Sequence, residues 1–305
     1  MPEFENRIIC GDCIEILSKV QRPFADLIFA DPPFNIGYKY DKYHDKLKKN
    51  SYIAWTRDWM TACKKVLKPH GSFYIAIGDE YAANVKVIAD EMGLFMRNWI
   101  IWHYTFGQQT RNKFARAHTH IFYFVNDKNN FVFNDHAVRV PSDRQLIYND
   151  RRANPAGKMP DDVWNCFSRV CGTFKERQGW HPCQMPEGLL ARIIAASSRP
   201  GDCVLDPFSG SGTTAAAAIQ VGSSYLGIEI SEEYVKYSRE RLDAIKDKCA
   251  SHRGNLLLGP IEVRELRRLV ADVNIPAERI LADRKLARLF SRLLAVRTNN
   301  GARYS

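Results

Sequence analysis

Nothing in this chain of 305 residues approaches the run of roughly 20 apolar side chains that a membrane span requires. The opening Met1-Pro-Glu-Phe-Glu-Asn6 lacks both the basic and the apolar segment of a secretory signal. These absences exclude a membrane-spanning class and predict a cytoplasmic protein. A metal-binding cysteine framework is missing too. Cys10 and Cys13 have CxxC spacing, but Cys166 and Cys171 are too widely spaced to complete a zinc knuckle. The eight cysteines therefore read as reduced structural thiols, and no metal site is expected. Acids are in deficit: 34 Asp and Glu stand against 44 Lys and Arg, a formal charge of +10. That balance points to a polyanionic partner or an anionic surface, with ordinary solvated charge as the plainer explanation.

What is present centres on Asp31-Pro32-Pro33-Phe34. It follows Asp26-Leu-Ile-Phe-Ala30, a run with the length and composition of a buried strand. Two prolines remove two backbone donors and fix two φ angles, so the turn is rigid and its carbonyls are left to face a ligand. Acceptors beside an aromatic face suit a flat ring bearing an amino group, such as a nucleobase.

In chain order, residues 7–10 read as a strand, and Asp12 is placed to cap a helix over 13–20. Residues 35–49 hold five lysines and two aspartates with Tyr38, Tyr40 and Tyr43 between them, a loop able to contact phosphate and stack on bases. Ser51 is expected to cap a helix running to about 67, which Lys68-Pro-His-Gly71 ends. A strand at 72–77, a helix from Asp79 to about 92 and strands at 94–104 and 119–125 follow, the last two antiparallel at a sheet edge. The strand and helix alternation is that of a doubly wound α/β domain.

The polar loop 105–118 and the segment 136–180 break that rhythm. The second has eight Lys and Arg against five Asp and Glu and no long periodic run, so it reads as an irregular insertion of the kind that carries specificity. Regular structure resumes with a helix from Pro186 to 197, a strand at 202–206, an alanine-rich helix, a strand at 223–230 and a helix to about 248. From Gly259 the apolar positions Leu266, Leu269, Val270 and Val273, then Leu286, Leu289, Phe290 and Leu293, predict two short helices. These carry ten basic residues against five acids from residue 260 onward. The domain division drawn from this is 1–255, with 136–180 as target-recognition insertion, and a basic helical appendage at 256–305.

Gly210-Ser-Gly212-Thr213-Thr-Ala215 fits G-x-G-x-x-A between a strand and a helix, and Glu229 ends the next strand, placed to accept hydrogen bonds from both hydroxyls of a ribose. A nicotinamide dinucleotide fits this much equally well. Asp206 separates the two, because a carboxylate directly before the glycine loop would repel a pyrophosphate at the helix N-terminus. A zwitterionic methionine moiety brings an ammonium for Asp206 and a carboxylate for the helix, which favours S-adenosylmethionine.

Asp31-Pro-Pro-Phe34 together with Asp206-Pro-Phe208-Ser-Gly-Ser-Gly-Thr-Thr214 resembles the amino-group (N6-adenine/N4-cytosine) DNA methyltransferases, in the subgroup where the catalytic motif precedes the cofactor motif. The likeness runs through most of residues 6–245, with Cys10-Gly-Asp12, Gly71-Ser-Phe-Tyr-Ile-Ala-Ile-Gly78, Asp162-Val-Trp164 and His181-Pro-Cys-Gln-Met-Pro186 also similar to family segments. Met185 stands where many relatives have lysine, and Cys183 where threonine is common.

The resemblance implies a Rossmann-like α/β sheet and methyl transfer from S-adenosylmethionine to a base flipped out of double-stranded DNA. It assigns Asp31, Pro32, Pro33 and Phe34 to the target base and Asp12 to the cofactor adenine. Glu229 goes to the ribose, and Asp206, Phe208, Gly210, Gly212 and Thr213 to the rest of the cofactor site. Adenine N6 is preferred, since relatives acting on cytosine more often begin the first motif with Ser; N4-cytosine, RNA or protein methylation and a non-catalytic DNA-binding role are the alternatives. Lys39, Arg111, Lys113, Arg151, Arg152, Lys175 and Arg177 are the basic residues expected on DNA. Whether the chain pairs with a restriction endonuclease or forms a homodimer is left open by the sequence.

Overall fold

The computed structural model describes residues 5–108, 110–251, 260–273 and 275–298. The chain begins with β1 (Arg7–Cys10), α1 (Cys13–Ser18) and β2 (Ala25–Ala30), whose six residues are all buried. Next come α2 (Lys49–Val66), β3 (Leu67–Ile77), α3 (Asp79–Glu91), β4 (Phe95–Gln108) and β5 (Arg116–Val125). The insertion contributes only a 3-10 turn, α4 (Asp143–Leu146) and the two-residue strand β6 (Val163–Trp164). After it lie α5 (Glu187–Ser197), β7 (Cys203–Asp206), α6 (Thr213–Val221), β8 (Ser224–Glu229) and α7 (Glu232–Ser251). The C-terminal part is α8 (Pro260–Val273), α9 (Ala277–Ala282) and α10 (Arg284–Thr298).

Eight strands form one sheet in the order β1-β8-β7-β2-β3-β5-β4-β6. Pairing is parallel from β1 to β3, and β5 runs antiparallel between β3 and β4. This is the expected doubly wound α/β sheet, mixed at one edge. One face is covered by α5 and α6 over Leu27, Phe29 and Val204, the other by α1, α2 and α3 over Ile28, Ile75 and Leu205. Alternate residues of β2 thus serve two different cores, which is why the strand reads as a continuous apolar run.

Several sequence expectations are corrected. Ser51 does not cap α2: the helix starts at Lys49 with no side-chain cap, and its first turn is anchored by buried Tyr52, whose hydroxyl donates to the Pro33 carbonyl at 2.6 Å. Lys68-Pro-His-Gly71 does not end the helix as a turn but lies within β3, where it bulges between the Ala25–Leu67 and Leu27–Ser72 pairs. Asp26 pins the bulge, accepting from Lys68 Nζ at 2.8 Å and contacting His70 Nε2 at 3.0 Å. The polar loop 105–118 is shorter than expected, because β4 reaches Gln108 and β5 starts at Arg116. Helix α1 ends at Ser18 rather than Val20.

Among the described residues the C-terminal part has three helices, not two. Asp283 separates α9 from α10, its Oδ1 accepting the N–H groups of Lys285 and Leu286. These helices share a small cluster of Leu269, Ile280, Phe290 and Leu293 and dock on α5 through a buried ion triad. Asp272 accepts from Arg192 Nε at 3.0 Å and from Arg297 Nη2 at 2.6 Å. Arg192 also lies over the rings of Trp164 and Phe167 at 5.0 and 4.4 Å. The boundary placed at 255/256 falls outside the described residues. No helix among the described residues is long and apolar enough to cross a membrane.

Candidate active site

In an open α/β sheet, ligands collect beyond the carboxyl ends of the parallel strands. Here β2 delivers Asp31 and its direct neighbour β7 delivers Asp206, while β1 and β8 bring Asp12 and Glu229 alongside. Because β5 is antiparallel to β3, its first residues and the end of β4 reach the same rim, adding Trp102, Tyr104, His118 and Thr119. All of these line one cavity of about 790 Å³.

Asp31 is backed by a fixed turn. Pro33 is held by Tyr52, and no described residue donates to the Pro32 carbonyl. Phe34 packs closely on Gly78: a Cβ there would come within 3.3 Å of the ring and push it a few tenths of an ångström. Burial, then the nearby Asp206 carboxylate, push the Asp31 carboxyl up to about 7 against the pull of Arg169. Arg169 comes from the insertion, and its guanidinium lies 5.8 Å from the Tyr104 ring centre.

The other half is the loop after β7. Asp206 is only 5% exposed, accepts from Phe208 N–H at 2.9 Å and Thr214 Oγ1 at 2.5 Å, and makes no ion pair among the described residues. Burial raises its carboxyl to about 7, the two hydrogen bonds countering only in part. Gly210 and Gly212 both have positive φ, at 46° and 72°. A Cβ on Gly210 would sit 2.7 Å from His181 Nε2, so the loop closes on that ring only because the residue is glycine. Arg241 braces the loop from behind, donating to the Ser211 carbonyl at 2.6 Å while paired with Glu187. Glu229 accepts from Gly210 N–H at 2.8 Å and Ser231 N–H at 2.9 Å, and burial still raises its carboxyl. Asp12 caps α1 through Oδ1 alone, at 2.7 Å to Ile14 N–H and 3.1 Å to Glu15 N–H.

These groups fit S-adenosylmethionine. An uncompensated buried carboxylate beside the first turn of α6, whose N–H groups have no partner within the helix, suits a ligand carrying an ammonium and a carboxylate together. Asp12 and Glu229 lie farther along the same cavity, at the ends of β1 and β8.

Of the basic residues expected on DNA, only Arg177 lines the cavity. Lys39 is exposed on a hairpin over the cavity, Arg111 and Lys113 are exposed between β4 and β5, and Arg151 and Lys175 are exposed on the insertion. Arg152 pairs with Asp150 at 3.1 Å, as does Arg144 at 2.7 Å. Gly212 is the N-cap of α6 and does not line the cavity. Met185 and Cys183 both do, and the Cys183 thiol interacts with Tyr40. Cys10 is exposed and Cys13 faces the core, so the CxxC pair is divided between two environments.

Sequence reasoning did not single out Arg169, Tyr104, Trp55, Asp41 or Tyr234, all of which line the cavity. Asp41 and Arg169 stood in segments already suspected of binding, 35–49 and the insertion 136–180, but neither they nor the others carry a local spacing signal.

Comparison with known proteins gives the family and the fold. The sequence profile of the N6/N4 DNA methylases matches residues 25–240. The type II methyltransferase M.HpaI of Haemophilus parainfluenzae is 37% identical over 241 residues, covering 79% of this chain and 75% of that protein. The DNA adenine methyltransferase YhdJ of Escherichia coli is 38% identical over 268 residues, covering 85% and 88%. Among solved structures, the PvuII cytosine-N4-specific DNA methyltransferase aligns with a TM-score of 0.58 at 19% identity, over 94% of this chain and 92% of that one. The Thermus thermophilus protein TTHA0409 complexed with S-adenosyl-L-methionine aligns with a TM-score of 0.56 at 21% identity, over 79% and 94%. At those identities the structures speak for the fold. The sequence matches carry the assignment: the chain belongs to the N6/N4 DNA methylase family.

Proposed function

We propose that this protein is a site-specific DNA methyltransferase that moves a methyl group from S-adenosylmethionine to the N6 amino group of an adenine turned out of duplex DNA. One observation carries the reading: Asp31-Pro-Pro-Phe34 and the Asp206 glycine loop stand at the carboxyl ends of neighbouring strands and open on one cavity. Bound S-adenosylmethionine supplies an electrophilic methyl group on its sulfonium sulfur.

The chain's own groups do the rest. A base stacked in a duplex is out of reach, so it must leave the helix at a cost of a few kcal/mol, partly recovered by stacking on Phe34. Asp31 and the Pro32 carbonyl accept the two N–H groups of the target amine. This turns the nitrogen lone pair out of conjugation with the ring and aims it into the cavity. As the nitrogen takes the methyl group from the sulfonium, whose C–S bond breaks, it gains positive charge; the Asp31 carboxylate stabilises that charge, and one amino proton is then released. Asp206, Glu229, Asp12 and the start of α6 hold the donor.

Adenine is favoured over cytosine by Asp, rather than Ser, at position 31 and by the similarity to an adenine methyltransferase. The test is methyl transfer from tritiated S-adenosylmethionine onto unmethylated duplex DNA, followed by digestion to nucleosides. Label in N6-methyl-2′-deoxyadenosine is expected, and Asp31→Ala should abolish it while binding the cofactor as before. Label in N4-methyl-2′-deoxycytidine would overturn the adenine assignment, and an active Asp31→Ala enzyme would overturn the site.

A further inference from the structure

Segment 35–47 follows Phe34 directly, and its lysines and tyrosines suggest a solvated arm. It is instead folded around one side chain. Asp45 is 2% exposed and makes no ion pair among the described residues. Its Oδ1 accepts the N–H of Asn35 at 2.6 Å, and its Oδ2 those of Ile36 at 3.2 Å and Tyr38 at 2.9 Å. Its backbone carbonyl takes the remaining N–H, that of Gly37, at 2.6 Å. Four consecutive amides therefore converge on one residue, and the three that reach its side chain are what tolerate a buried carboxylate there.

Asn35 closes the other side of the same base. With φ at 59°, it donates from Nδ2 to the Leu47 carbonyl at 3.0 Å and accepts the Leu47 N–H at 2.6 Å. Beyond this base Lys39 and His44 form a bridge, and the tip Tyr40-Asp41-Lys42-Tyr43 lines the cavity. The tip is latched on the far wall: Ser231 Oγ donates to Asp41 Oδ2 at 2.7 Å, two residues past Glu229. One hairpin thus runs from the Asp31–Phe34 turn to the wall assigned to the cofactor ribose, and its shape depends on Asp45.

We propose that Asp45 is a positioning residue for methyl transfer. By gathering the amides that follow Phe34 it fixes the acceptor turn and holds the 38–43 tip across the bound cofactor. The inference rests on reading the cavity as the S-adenosylmethionine site. Asn at position 45 keeps one acceptor oxygen but turns an NH₂ group toward backbone N–H donors, so it breaks the cluster without changing side-chain size.

The test compares the full-length wild type with Asp45→Asn, Asp41→Ala and Asp26→Asn. Asp26 is a matched control: it is 4% exposed and well hydrogen-bonded, but lies at the opposite end of β2. Thermal midpoint, kcat on duplex DNA and the release of tritiated S-adenosylmethionine in a chase are read for each. Asp26→Asn should lower the midpoint while the folded enzyme keeps wild-type kcat and release rate. Asp45→Asn should lower kcat by about 100-fold, the scale expected for a small misplacement of reacting groups, and speed release by roughly tenfold. Asp41→Ala, an exposed change that leaves the fold intact, should speed release severalfold at an unchanged midpoint; it decides the matter if Asp45→Asn does not fold. An Asp45→Asn enzyme that behaves like Asp26→Asn, or Asp41→Ala releasing at the wild-type rate, overturns the proposal. A wild type that binds no S-adenosylmethionine overturns the cavity reading and this inference with it, whereas the variant outcomes above leave the cavity reading standing.

Discussion

In the proposed mechanism two carboxylates carry most of the chemistry at the residue scale, and both are held in surroundings that oppose their charge. Asp31, with its carboxyl raised to about 7, must be ionised to accept the target amine. The kcat/KM profile should therefore fall on the acid side with a midpoint near pH 7, well above an ordinary aspartate, and steady-state kinetics across pH 5–9 will show whether it does. Asp206 is raised to about 7 as well. A folded-state pKa above the unfolded value means that folding favours the protonated form: the stabilisation is complete below the unfolded pKa and is lost as pH rises through about 7. Asp206→Asn keeps the acceptor for Phe208 N–H and removes a charge that is unfavourable at pH 8. It should raise the apo melting point by a few degrees at that pH, at roughly 2–4 °C per kcal/mol, and weaken cofactor binding. Scanning calorimetry at pH 5 and 8 checks it, since the gain should be absent at pH 5. The motif residues were legible in the sequence because each turn must do something unusual: two prolines in a row, or glycines beside an acid. Arg169 and Trp55 were not, since their place depends on an insertion and a helix face that only the folded chain brings to the cavity.

Among the elements, α5 links the site to the C-terminal helices. Its Glu187 holds the Arg241 that braces the glycine loop, and its Arg192 enters the triad with Asp272 and Arg297. Burial alone would raise the Asp272 carboxyl, but Arg192, Arg297 and Arg268 together bring it below its ordinary range. Asp272→Ala would strand two buried guanidinium groups, so a loss of about 3–5 kcal/mol is expected in urea unfolding. A loss under about 1 kcal/mol would mean that the triad is not what docks these helices. Element types were mostly readable from the sequence, element ends less so. Pro69, His70 and Gly71 read locally as a helix stop, yet they form a strand bulge that Asp26 ties down from the neighbouring strand β2. Helix α9, with six residues, is too short for its periodicity to stand apart from that of α10.

For the whole molecule, a charge of +10 meets a substrate with one negative charge about every 1.7 Å of duplex. Most of the basic residues expected on DNA are exposed outside the cavity, where they would contact backbone rather than the target base. Affinity for duplex should then fall steeply with salt, by about 10³-fold between 50 and 200 mM if around six phosphates are contacted. Fluorescence anisotropy over a salt series measures the slope. A flat response would leave the surface charge without a role in binding.

The strand order also has a consequence for synthesis. β2 pairs on one side with β7, which begins at Cys203, although β2 itself ends at Ala30. At about 5–20 residues per second its partner emerges roughly 10–35 s later. Throughout that interval the nascent chain presents an unpaired strand edge in the middle of its future sheet, next to the turn assigned to the target base. A ribosome stall in the second half of the message would therefore leave a sticky, half-built sheet, and overproduction should tax chaperone capacity before it taxes the cofactor pool.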